Sequence, residues 1–83
     1  MGQVAVVFKI MPSSTDIDAE MIKKEIEKKF NPSDIKIQEL AFGIKVIKAL
    51  FIIPDASGVE NIENGIKEIE GVGEVETESL TLV

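Results

Sequence analysis

The run FGIKVIKALFII at residues 42–53 holds nine apolar residues, one glycine and two lysines, Lys45 and Lys48. A buried ammonium must lose its charge or find a partner. Two lysines in the most hydrophobic stretch of the chain are therefore expected on a face that meets something. Glu74, Glu76 and Glu78 alternate along EVETES at 74–79 and share one side of an extended segment. They have neither a converging base nor the spacing of metal ligands. They read as the charged row by which an edge strand resists aggregation, or as complements to a basic patch that speed encounter with a partner. Neither pattern forms or breaks a bond.

Missing residue types exclude more. The chain contains no His, Arg, Trp, Tyr or Cys. Histidine is the usual general base near neutrality, and arginine is the bidentate clamp for phosphate and carboxylate. Without cysteine there is no disulfide framework and no thiolate metal site. A net charge of −6 with nine lysines opposes nucleic-acid binding, which rests on neutralising phosphates. The expectation is a non-enzymatic protein with no cofactor, no metal, and no nucleic-acid or membrane partner.

The 83 residues make one domain over 1–83, able to bury roughly 60–65% of its unfolded surface in a single core. MGQVAVVFKIM lacks a basic leader and is too strand-like for a signal peptide. Val6 breaks the myristoylation pattern. No apolar run approaches the ~20 residues of a membrane span. A cytoplasmic domain, monomeric when free, is expected.

The elements that must position the lysines follow from periodicity. Residues 3–11 alternate, with Val4, Val6, Phe8 and Ile10 on one side, and predict a strand. Asp16 is the expected cap of a helix whose stripe is Ala19, Ile22, Ile26 and Phe30. NPSD at 31–34 stops it. Residues 35–41 predict a second strand, and 44–53, apolar on both faces, a central third. Ser57 and Glu60 have capping-box spacing before a stripe of Val59, Ile62, Ile66 and Ile69. Gly71 is the expected stop, and 74–82 a last strand. Gly65, inside that helix, implies a close approach by another element.

The order β-α-β-β-α-β predicts a ferredoxin-like α+β sandwich, a four-stranded antiparallel sheet with both helices on one face. Strands one and three would be central. Ile47, Ala49 and Phe51 are expected beneath the helices, with Lys45 reaching water at the strand's mouth. Lys48 then belongs to the open face beside Lys9, among Ala5, Val7, Val46, Leu50 and Ile52. This is an exposed apolar patch of the kind that marks a protein contact. The competing reading pairs Lys9 with the glutamates as an ordinary solvated face.

The segments VFKIMP at 7–12, DID at 16–18, AFGIKVIKALFIIPD at 41–55 and IEGVGEVE at 69–76 resemble translation elongation factor 1-beta, especially its short archaeal members. The resemblance spans the chain. It implies binding to elongation factor 1-alpha, the GTPase that delivers aminoacyl-tRNA, and faster release of its GDP. In eukaryotic members a lysine near the C-terminus is implicated at the Mg²⁺ site. Here TESLTLV follows with no basic residue after Lys67, so that lever does not carry over. Phe42, Gly43 and Lys45, at the tip between strands two and three, are the expected replacement, with Lys9, Lys48, Val46 and Leu50 on the open face. Phe42 as a core cap and Gly43 as a plain turn are the bland alternatives.

The leading rival is an ACT-like small-molecule-binding regulatory domain, which tends to carry glycine in the first strand–helix connection. PSSTDID has none. An acylphosphatase-like enzyme lacks its arginine here, an RNA module its open-face aromatics, and a heavy-metal carrier its cysteines.

Overall fold

Period-two and period-3.6 patterns alternate along the chain, and the computed structural model, which describes residues 2–14 and 16–82, follows them. Met1, Thr15 and Val83, part of the expected 1–83 domain, lie outside the described residues. The elements are β1 (Val4–Pro12), α1 (Ala19–Phe30), β2 (Asp34–Glu39), a 3-10 turn (Ala41–Gly43), β3 (Lys45–Ile53), α2 (Ser57–Lys67) and β4 (Val72–Leu82). All strand pairs are antiparallel, in the order β2-β3-β1-β4. This is the expected ferredoxin-like α+β fold, with β1 and β3 central.

Register shows which face the helices cover. Val6, Phe8 and Ile10 pair with Phe51, Ala49 and Ile47, and Ile10 also faces Val75 of β4. All seven are buried and join Ala19, Ile22 and Ile26 of α1 and Ile66 of α2 in one core. Both helices therefore share one side of the sheet. Phe8 and Phe51 meet edge to face, their ring centroids 5.8 Å apart.

Capping departs from expectation at both helices. Asp18, not Asp16, caps α1: its backbone is extended and its Oδ1 accepts from the Glu20 N–H at 2.9 Å. Asp16 lies in the preceding turn, where its N–H donates to Ser14 Oγ. At α2 the Ser57–Glu60 box does not form. Asp55 Oδ1 accepts from both the Ser57 N–H, at 2.9 Å, and the Ser57 hydroxyl. Ser57 donates to an acceptor behind it instead of accepting from the helix ahead. These bonds, the hydroxyl's foremost, hold the Asp55 carboxyl below its ordinary 3.8 against a smaller desolvation effect.

Helix α2 ends at Lys67, so Ile69 completes the apolar stripe from the turn beyond and is only 5% exposed. Gly71, at φ +96, belongs to that turn and not to the helix terminus. The close approach expected at Gly65 is the Phe30 ring of α1, whose Cζ lies 2.6 Å from where a Cβ would sit.

Candidate functional site: the β2–β3 tip and the open sheet face

The tip is closed by its own backbone. The Leu40 N–H donates to the Ile44 carbonyl at 2.6 Å, and the Ile44 N–H donates to that of Ala41 at 3.4 Å. This tightness forces Phe42 to φ 64 and Gly43 to φ 73. Glycine adopts that region freely. For a phenylalanine the left-handed region costs roughly 1–2 kcal/mol. Phe42 is 97% exposed, so no packing within the chain offsets that strain. The core-cap reading of Phe42 is overturned. Leu40 and Ile44, each 39% exposed, close the base of the turn and add to the apolar surface of a tip that sequence reasoning reduced to one residue.

Lys45 opens β3 beside this tip, exposed as expected at the strand's mouth and in register with Glu39 of β2. A shallow cleft separates the tip from the β1–α1 connection. Gly43, Ile44 and Lys45 line one side of it; Met11, Pro12, Asp16 and Asp18 contribute the other. Lys45 therefore shares its surroundings with two carboxylate-bearing residues and apolar side chains.

On the side away from the helices, register aligns Lys36, Lys48, Lys9 and Glu76 in one row across all four strands. Lys48 Nζ lies 2.8 Å from Glu78 Oε1. Lys9, which the competing reading pairs with the glutamates, has no carboxylate within 4.0 Å among the described residues. Lys36 was missed because parity alone does not say which residue of a neighbouring strand lies opposite.

The apolar patch is smaller than expected. Val46 is fully buried, 0% exposed, and cannot be a surface contact. It is a short β-branched side chain in a central strand, opposite the longer Gln38, and such a position is walled by its neighbours. Leu50, Ala5, Val7, Lys9 and Lys48 are half-buried, and Ile52, at 39%, is the most open apolar group. The polar row thus crosses the middle of the face, and the apolar portion lies toward Ile52.

Among the described residues no group of three or more His, Cys, Asp or Glu converges to hold a metal ion. No helix among them is long and apolar enough to cross a membrane. No buried side-chain polar atom among them lacks a hydrogen-bond partner.

Fold and surface together define a small two-layer α+β domain whose distinctive groups stand outward, on a strained apolar tip and a bare sheet face. Residues 5–83 match the EF-1 guanine nucleotide exchange domain, and the chain belongs to that family. Among its relatives, elongation factor 1-beta of Methanoculleus marisnigri is 36% identical over 84 residues, covering 100% of both chains. The elongation factor 1-beta of Thermoplasma acidophilum is 38% identical over 88 residues, and that of Methanospirillum hungatei 39% over 85, each again covering 100% of both chains. The domain is a guanine nucleotide exchange module of translation elongation, and the ACT-like alternative finds no support.

Proposed function

We propose that the domain accelerates GDP release from the elongation factor 1-alpha GTPase, with Phe42 as the anchor and Lys45 as the cationic lever. The observation that carries this reading is the exposed, left-handed Phe42. Strain of this kind persists where surrounding structure enforces it, and it clusters at binding sites. A ring wholly in solvent, held on a rigid two-strand support, loses little conformational freedom when a partner's pocket takes it.

The exchange follows from linkage. A partner that binds the nucleotide-free GTPase more tightly than the loaded one weakens nucleotide binding by the same factor. GTPases hold their nucleotide through a phosphate-binding loop and Mg²⁺. A lysine brought close to that site competes with the metal for the same oxygens, and no covalent step is needed. In this reading Gly43 supplies the turn, while Lys48, Lys9 and Leu50 border the contact on the open face. The module works as a monomer in the cytoplasm, without nucleic acid, membrane or cofactor.

Stopped-flow release of a fluorescent GDP from elongation factor 1-alpha tests the assignment. Wild-type protein is expected to accelerate release, and Phe42→Ala and Lys45→Glu each to lower the effect by at least about tenfold, the scale of an interface hot spot. Unchanged acceleration by Lys45→Glu removes the lysine from the mechanism. No acceleration by the wild type removes the GTPase.

A further inference from the structure

Charge is distributed unevenly along this chain. From Asp55 onward there are eight acids and one lysine, whereas the earlier residues hold eight lysines and seven acids. On the helix side this imbalance meets a groove between α1, with the connection that precedes it, and the turn joining α2 to β4. Ile17, Met21 and Ile69 form its apolar walls. Met21 is 66% exposed and lies off the buried stripe of α1. Asp16, Asp18, Glu25, Glu68 and Glu70 stand around it, with Lys29 as the one cation of the lining among the described residues. Lys29 is already 3.6 Å from Glu25.

We propose that this groove is a second docking site, which takes a basic amphipathic helix from a protein partner. The sign of the rim repels polyanions, so nucleic acid and anionic lipid surfaces are poor occupants. Helix and turn backbone line the groove, and neither offers an unpaired strand edge for β-addition. Its lining has no aromatic residue to grip a polyproline segment. A helix remains: apolar side chains on one face meet Met21 and Ile17, and flanking lysines or arginines meet Glu68 and Glu70. Methionine, flexible and polarizable, adapts to such a face. The groove includes neither Phe42 nor Lys45, although Asp16, Ile17 and Asp18 border both it and the cleft beside Lys45, and the proposal does not rest on the exchange reading.

The test uses a fluorescein-labelled amphipathic peptide of Leu and Lys, roughly 18 residues so that it is helical, and a counterpart with Glu in place of Lys. Binding is followed by anisotropy at physiological salt and mapped by amide chemical shifts. Glu68→Lys/Glu70→Lys is expected to weaken the Lys peptide by about tenfold or more and Met21→Ser by a few-fold, whereas Glu74→Lys/Glu76→Lys, the same charge change on the sheet, has less than about twofold effect. GDP release in the stopped-flow assay stays unchanged in Glu68→Lys/Glu70→Lys. Equal weakening by the sheet pair, shifts confined to the open face, or equal binding of the Glu peptide overturns the site. A dimer seen by sedimentation equilibrium and dissolved by the groove variants also overturns the proposal, because the occupant is then a second copy.

Discussion

Lys48 of β3 reaches across β1 to Glu78 of β4, Nζ to Oε1 at 2.8 Å. Two strands that are not neighbours are thus tied over the back of a third. A register shift makes this geometry: Val7 faces Ser79 and Phe8 faces Thr77, leaving Glu78 as the extra residue of a bulge. Both side chains retain solvent contact, 23% and 37%, so the pair is a modest one. Glu78→Gln is expected to cost about 0.2–1 kcal/mol in urea unfolding. The difference should shrink as salt is raised. A salt-independent loss would show that the bulge, and not the charge, carries the effect.

Phe30 and Gly65 set the spacing of the two helices. Alanine at 65 gains up to ~1 kcal/mol of helix propensity, but its methyl meets the Phe30 ring, and overpacking costs typically about 1–3 kcal/mol. Gly65→Ala is therefore expected to destabilise, against the propensity scale. Adding Phe30→Leu should recover part of the loss, a coupling that a double-mutant cycle reads directly.

At Phe42 stability and the proposed function are expected to separate. Asparagine tolerates the left-handed region better than phenylalanine, and the exposed ring contributes no burial. Phe42→Asn is expected to leave stability unchanged or raise it by up to about 1 kcal/mol, with nucleotide exchange lost. A melting temperature several degrees below wild type would mean that the ring supports the fold.

Asp55 has a depressed pKa, set first by the Ser57 hydroxyl and then by the Ser57 N–H. A carboxylate stabilised in the folded state contributes above its unfolded pKa and loses that contribution as pH falls through the folded value. The melting-temperature gap between wild type and Asp55→Asn is expected to be constant above pH 3.8 and to narrow below it. A gap unchanged at lower pH would assign the effect to geometry alone.

Much of this architecture was legible because it is local. Val4, Val6, Phe8 and Ile10 at every second position in β1, and Val59, Ile62 and Ile66, three and four apart in α2, record the period of the element that buries them. The caps were less legible, since DIDAE and DASGVE each contain more than one side chain able to bond the first turn. The outcome depends on where the chain leaves the preceding strand. Proximity to the apolar stripe pointed to the right neighbourhood and the wrong side chain: Asp18 and not Asp16 caps α1, and at α2 Ala56 holds the cap position without a side-chain bond while Asp55 accepts from Ser57.

The order of elements, the parity of each strand and the family of the domain are properties of the amino-acid sequence alone, because period and motif need no knowledge of neighbours. Tertiary structure decided that Val46 is walled in, that Lys48, and not Lys9, pairs with Glu78, and that Phe42 stands outward at positive φ. Each depends on which residue of another strand lies opposite, or on how tightly a tip closes. Those are distances between remote parts of the chain, and only the packed sheet sets them.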